Sequence, residues 1–247
     1  MANIRTILYA AMGLMMLDAA LEMGLIVSMV YWLHNRAGKA FEVNYQGGSF
    51  SLHGKPAGLL VNQGHTSNGA AGTALVLIGI GGILALWLRA RADRKLSGTF
   101  SGFGKGWYHF WLFMTVVSTL LTVAAIIYTF ILTYEYDGQA IDIHLASTLN
   151  NKPYPNYAAY PLHKWTPENW LDAVLKLPLT SSSDRSDINT NLYLMRAWRW
   201  NLFPLFAFEL AVCVLAFLDA RQERRATRQG RSMALLQRNG KRSSSSS

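Results

Sequence analysis

Four long blocks of apolar residues dominate the hydropathy pattern, and shorter polar stretches separate them. The blocks cover residues 7–33, 70–88, 107–134 and 202–218. A helix needs about 17–25 predominantly apolar residues to cross the hydrocarbon core of a bilayer, and each block reaches that range. The pattern therefore predicts an all-α membrane protein built as a bundle of four transmembrane helices, with residues 1–33 as the N-terminus and first span.

The polar stretches fall on two sides of the predicted bundle. One side takes the long loops 34–69 and 135–201, and the other takes residues 1–6, the short loop 89–106 and the tail 219–247. The second side holds 14 of the 23 Lys and Arg residues at a much higher density. The positive-inside rule then places both termini in the cytoplasm of a multi-pass protein, with the plasma membrane as the expected location.

The first outer loop carries the signature of a β-hairpin. Apolar residues alternate with polar ones on both sides of two glycines, at Phe41, Val43, Tyr45, Phe50 and Leu52. Strict alternation with a two-residue glycine turn is typical of antiparallel strands. A turn at Gly47 and Gly48 predicts that Tyr45 pairs with Phe50. The same turn pairs Val43 with Leu52.

The second outer loop predicts a short amphipathic helix over residues 167–177. Thr166 suits the N-cap, Pro167 the first helical position and Glu168 the first turn. The hairpin and this helix form a small predicted outer cap. Four aromatic side chains are its candidate contact residues, within the cap or towards a partner: Tyr45, Phe50, Trp165 and Trp170.

The second span starts with polar residues and continues with small ones. The string 62–68 precedes it, and we interpret Ser67 or Asn68 as the N-cap of the helix. A small-ligand or ion site at the outer mouth is the alternative interpretation. Small residues favour close helix contact between this span and the first one, at Gly79, Gly81, Gly82 and Ala85 against Ala20 and Gly24.

Polar side chains also lie within the predicted membrane core. Asp18 and Glu22 are four residues apart on the first span, hence on one helix face. Glu209 lies near the middle of the fourth span. The third span adds a hydroxyl stripe: Thr115, Ser118, Thr119 and Thr122. Counting from the span midpoints predicts that these groups lie at about the same depth.

This intramembrane polar cluster has two interpretations. A carboxylate in hydrocarbon costs about 2.5–3.5 kcal/mol on insertion scales, so such residues are functional candidates. Two like charges in a low dielectric favour a shared proton or neutral acids. Neutral acids that bond to the hydroxyl stripe would hold the helices together. Alternatively, the acids form a proton or cation relay.

Missing catalytic motifs and the placement of the basic residues bear on the function of the protein. The sequence shows no metal-ligand spacing, nucleophile elbow or phosphate-binding loop, which predicts a non-enzymatic protein without metal or cofactor. Because the basic residues adjoin the spans, we expect a lipid surface and no nucleic acid as partner. The candidate residues for anionic inner-leaflet lipids lie in the tail: Arg221, Arg224, Arg225, Arg228 and Arg231.

The arrangement of four spans, a hairpin over residues 41–53 and a basic tail resembles fungal four-transmembrane claudin-like proteins of the SUR7/MARVEL type. The resemblance implies membrane organisation and lateral assembly, with no catalytic residues to carry over. It agrees with our leading hypothesis, a scaffold that organises a membrane domain or complex through self-association or a membrane-protein partner. The alternatives are a small proton-coupled or cation-conducting transporter, and an accessory subunit of a larger membrane complex.

Overall fold

The computed structural model describes residues 4–36, 39–93, 99–149, 151–154 and 164–244. For residues 92–93, 99–101, 226–228 and 230–244 it describes the backbone alone.

Four helical spans are long and apolar enough to cross a membrane, which confirms the predicted bundle. They are α1 (Ile4–Arg36), a second span in three parts, α4 (Thr99–Glu135) and α7 (Ser182–Ser244). The second span consists of α2 (Asn62–Gly72), a π-helical segment (Thr73–Ile80) and α3 (Gly81–Asp93). Two short helices, α5 (Ile143–Thr148) and α6 (Pro167–Leu175), belong to the loop between α4 and α7.

Helix α7 extends well beyond the predicted fourth span on both sides. Its 63 residues correspond to a length of about 95 Å at 1.5 Å per residue. It includes residues 182–201, which the sequence assigned to the second loop. The backbone N–H of Asp184 donates to Ser181 Oγ at 3.1 Å, so a serine before the helix satisfies its first turn. We call the end of the bundle at the hairpin the cap side and the opposite end the tail side.

The second span begins at Asn62, eight residues before the predicted start at residue 70. Its N-cap is Val61, which has no side-chain capping bond. The prediction that Ser67 or Asn68 caps the helix is therefore wrong. Ser67 lies inside α2, where its hydroxyl donates to the Gln63 carbonyl at 2.9 Å. Hydroxyls that bond back to a carbonyl one turn earlier allow such polar strings to be helical.

Glycines bring the second span close to α1. A side chain at Gly79 would collide with Met16, and one at Gly82 would lie 2.7 Å from Met12 and Trp111. The close approach of this span is thus as predicted, but its partners on α1 are the methionines. Open space surrounds Gly24.

The hairpin consists of β1 (Ala40–Tyr45) and β2 (Gly48–His53), paired antiparallel. The predicted pairing is wrong by two residues, because Tyr45 pairs with Gly48 and Val43 with Phe50. The turn is formed by Gln46 and Gly47, with φ of 52° and 81°. Two consecutive residues with positive φ are what a type I′ turn requires, and its twist matches that of the strands.

The cap has its own apolar core, in which α6 packs with the hairpin and the start of α7. The Thr166 side chain caps α6 by accepting from the Asn169 N–H at 3.2 Å, as predicted. The Trp170 indole N–H donates to the Gly54 carbonyl at 3.1 Å. Val43 forms a bridge with Leu179, which joins β1 to the chain after α6. The cap is therefore an ordered unit fixed to one end of the bundle.

Candidate functional site

A network of charged side chains closes the tail side of the bundle. Asp219 of α7 accepts from Arg5 of α1 and from Arg89 of α3, both at 3.1 Å. Glu223 pairs with the same two arginines. Tyr108 of α4 donates to Asp219 Oδ2 at 3.3 Å, and its ring centroid lies 3.9 Å from Arg89 Cζ. The network thus connects all four spans.

Burial makes this network important for stability. Arg89 and Asp219 are 6% and 3% exposed, so little water screens their charges. Removing one partner of a buried ion pair costs about 3–5 kcal/mol, because the other charge is left without compensation. The paired charges therefore hold the tail ends of the helices in register.

The middle of the bundle contains the predicted hydroxyl stripe beside Glu209. The Ser118 hydroxyl donates to Glu209 Oε1 at 2.7 Å, joining α4 to α7. Thr122 adjoins Glu209 but makes no hydrogen bond within the described residues. Thr115 and Thr119 bond to carbonyls of their own helix, and Thr115 also lies 3.5 Å from Cys213 Sγ. Two of the four stripe residues therefore face Glu209.

The acids of α1 meet a different part of α7. Glu22 is fully buried, and its Oε2 accepts from the Asn201 amide at 3.0 Å. Asn201 precedes Glu209 by eight residues, which is about 12 Å along the helix. Asp18 is half-buried next to Glu22. The three acids thus form two groups at different depths, one at Glu209 and one at Glu22.

Each of these acids retains an oxygen without a partner. Asp18 Oδ2, Glu22 Oε1 and Glu209 Oε2 are shielded from solvent and make no hydrogen bond with any described residue. Buried acceptors without donors are costly and uncommon in folded proteins. Sequence reasoning found the acids but missed Asn201, which its assignment to a loop concealed.

The four candidate aromatic residues of the cap differ in exposure. Trp165 and Trp170 are buried, with ring centroids 5.3 Å apart, so they contact the cap interior. Tyr45 and Phe50 are half-buried near the hairpin turn, with ring centroids 6.3 Å apart in an edge-to-face arrangement. Only the hairpin pair is therefore open to a partner.

Ion pairs fix the cap to the bundle. Glu168 of α6 pairs with Arg196 at 3.3 Å and with Arg199 at 3.1 Å, both on α7. Burial raises the pKa of Glu168, and the two guanidinium groups oppose that shift. At the same end of the bundle, Arg36, the last residue of α1, pairs with Asp184 and Asp187 of α7 at 3.0 and 2.9 Å. The first set of ion pairs thus holds α6 on α7, and the second joins α1 to the start of α7.

A groove of about 630 Å³ opens on the cap side between α1, α2 and the loop that follows the hairpin. We call it the cap-side groove; its lining includes Val27, Val30, Lys55, Gln63, Gly64 and Trp198. Its volume lies within the range of about 300–1,000 Å³ that is usual for small-molecule sites. The polar string at residues 62–68, for which a small-ligand or ion site was the alternative interpretation, contributes to one wall of this groove. These residues are part of a helix and do not form a loop.

A second groove of about 550 Å³ lies on the tail side, along α7 and beside Leu112 of α4. Arg221 and Arg224 line it together with apolar residues such as Phe217. Arg225 is exposed nearby, whereas the side chains of Arg228 and Arg231 lie outside the described part of the chain. Two of the predicted lipid-binding residues are therefore placed beside an apolar groove.

No family model, curated protein or solved structure matches this chain. In the described part of the chain, no three His, Cys, Asp or Glu side chains are grouped closely enough to hold a metal ion.

Proposed function

We propose that this protein is a non-enzymatic membrane protein that organises a membrane domain or complex through its lipid-facing helices and its cap. The observation that carries the proposal is the apolar core of the bundle. Buried apolar side chains pack against one another there, including Leu8, Met12, Met15, Leu205 and Val212. The proposal therefore places function on the outer surfaces of the bundle and cap.

Those surfaces suit lateral contacts in a bilayer. Each span keeps large apolar residues exposed, such as Leu17, Val76, Leu120 and Val214. They can face lipid or a neighbouring protein, and the half-buried Tyr45 and Phe50 add a contact outside the membrane. This arrangement agrees with the resemblance to claudin-like tetraspan proteins, which implies lateral assembly.

The proposal includes an orientation. Both termini lie in the cytoplasm, most naturally at the plasma membrane, and Arg221, Arg224 and Arg225 face anionic lipids of the inner leaflet. Each basic residue near such a surface contributes about 1 kcal/mol of attraction. The apolar groove beside Arg221 and Arg224 supports this part of the proposal.

Cysteine crosslinking in native membranes tests self-association. In a Cys213→Ser background, one cysteine is placed on the exposed face of each span, as Leu17→Cys, Val76→Cys, Leu120→Cys or Val214→Cys. We expect an oxidant to produce a homodimer band from one face. Ala19→Cys is the matched control, because Ala19 is buried. A crosslinked band of another mass would instead indicate an accessory subunit of a larger complex, and the absence of any band would contradict the proposal.

Transport is the second candidate function, and the partnerless acid oxygens favour it. Asp18 Oδ2, Glu22 Oε1 and Glu209 Oε2 could bind a proton or cation. Flux in liposomes distinguishes the two functions. A proton or cation flux that disappears in a folded Asp18→Asn/Glu22→Gln double variant would support transport. No flux in either protein would support the organising function.

A further inference from the structure

We propose that the cap-side groove binds a phospholipid, with an acyl chain along its apolar wall and the phosphate beside Lys55. This site is independent of the organising function proposed above. It rests on the position of the groove, on the charge of its rim and on a buried acceptor in its wall.

The groove is continuous with the lipid-facing surface of α1. Val27, Val30 and Tyr31 line it, and all three side chains are at least 41% exposed. On a helix that spans a bilayer, such exposed apolar residues contact acyl chains. An acyl chain can therefore enter from the membrane without crossing a polar barrier.

The rim of the groove is basic. Lys55, His34 and His65 line it, and the described lining contains no acidic residue. Among the described residues, no ion pair involves Lys55. An ammonium group beside an apolar groove at the end of the membrane span is positioned for a lipid phosphate. Charge complementarity thus selects a phospholipid over a neutral lipid.

Two residues of α2 in the groove lining leave space or hydrogen-bonding capacity unused. Gln63 is 2% exposed, and its Oε1 makes no hydrogen bond with a described residue, while its Nε2 donates to the Leu60 carbonyl at 3.1 Å. This oxygen is shielded from solvent, and a rotation of the Gln63 side chain towards the groove would let it accept from a hydroxyl of the lipid headgroup. Gly64 is buried, yet a Cβ added there would meet no atom within 4 Å. The wall of the groove therefore leaves room beside the backbone of α2.

Native mass spectrometry of the full chain released from nanodiscs tests this site with three probes. Phosphatidylglycerol supplies chains, phosphate and hydroxyls. Diacylglycerol supplies the chains alone, and glycerol 3-phosphate supplies the headgroup alone. We expect at least one phosphatidylglycerol to be retained per chain, and little of either other probe. Equal retention of diacylglycerol, or displacement of the lipid by glycerol 3-phosphate at equal concentration, would overturn the proposal.

Two variants with matched controls locate the binding. Gly64→Phe fills the groove, whereas Gly72→Phe adds the same ring to α2 at a position outside the groove lining, where a Cβ also meets open space. Lys55→Glu reverses the charge at the rim, and Lys39→Glu makes the same change at an exposed residue outside the lining. We expect the two groove variants to weaken binding about tenfold, or roughly 1.4 kcal/mol, and the controls to leave it unchanged.

Thermal unfolding of each variant shows whether it remains folded. A folded Gly64→Phe protein that retains phosphatidylglycerol as well as Gly72→Phe does would place the lipid elsewhere. If Gly64→Phe does not fold, Lys55→Glu decides the question, because its exposed-rim charge is not needed for packing. Equal binding by Lys55→Glu and Lys39→Glu would then refute the site.

Discussion

The two halves of the bundle treat their polar groups differently. On the tail side, Asp219 accepts from two arginines and a tyrosine, and Gly82 brings the second span against Met12 and Trp111. On the cap side, Glu22 keeps an oxygen without a partner, and the space around α2 forms a groove.

We infer from this difference which polar groups hold the fold and which remain open to a ligand. A charged group that is fully hydrogen-bonded to neighbouring helices holds those helices together. It has little hydrogen-bonding capacity left for a ligand. An acceptor without a donor contributes less to the fold and remains available for a proton, an ion or a lipid hydroxyl. The comparison predicts that equivalent substitutions destabilise the tail-side half more than the cap-side half.

The largest expected effect follows from Asp219→Ala. The substitution removes the buried one of the two carboxylates that pair with Arg89 and leaves only the more exposed Glu223, which should lower the free energy of unfolding by about 3 kcal/mol. Unfolding of the purified protein by added SDS in mixed micelles measures the change. Asp187→Ala is the control at the cap, because Arg36 keeps Asp184 as a partner. Equal losses in the two variants would remove the proposed difference between the ends.

Overpacking gives the next largest effect. Gly82→Leu places a side chain against Trp111 and Met12, and such insertions destabilise by about 1–3 kcal/mol. Gly64→Leu enters open space in the groove and should change the unfolding free energy by less than about 0.5 kcal/mol. Melting of the two variants in one detergent measures the contrast. A Gly64→Leu protein as unstable as Gly82→Leu would show that the groove is closed in solution.

The sequence predicts the elements of this fold better than their contacts. Three patterns predict elements from residues that are close in the sequence. They are the four apolar blocks, the alternation around a glycine pair and the Thr-Pro-Glu helix start. The four spans, the hairpin and α6 all form. The hairpin register was missed because Gln46 takes a positive φ that is uncommon outside glycine, asparagine and aspartate. A turn one residue earlier then moves every cross-strand pair.

Long-range partners had no signal in the sequence. Arg89 and Asp219 are 130 positions apart. In the sequence, Arg89 belongs to the predicted basic loop and Asp219 to the predicted tail, so neither residue indicates the other as its partner. Asn201 was assigned to a loop, so its bond to Glu22 could not be inferred from span midpoints. Polar residues at span ends form hydrogen bonds or ion pairs with one another only when helix packing brings them together. The hydropathy pattern does not predict that packing.

A smaller effect is expected from Glu22→Gln. The amide oxygen of glutamine can still accept from Asn201, and a neutral side chain avoids a charge in the bundle. We expect the free energy of unfolding to change by less than about 1 kcal/mol. The matched comparison is Asp219→Asn, which removes a charge from the paired arginines and should cost more. A Glu22→Gln protein less stable than Asp219→Asn would reverse the assignment of structural and functional acids.

The smallest effect concerns the pH dependence of the cap. Burial raises the pKa of Glu168 despite its two arginine partners, so the folded protein binds this proton more readily than the unfolded chain does. Stability linked to this group should therefore increase as the pH falls through the raised folded pKa towards the unfolded value of about 4.3. Unfolding of the native protein and Glu168→Gln between pH 7 and pH 5 isolates the contribution, since other acids cancel in the difference. If the native protein instead lost stability relative to Glu168→Gln as the pH fell, the arginine pairs would outweigh burial, and the cap would resemble the closed tail side.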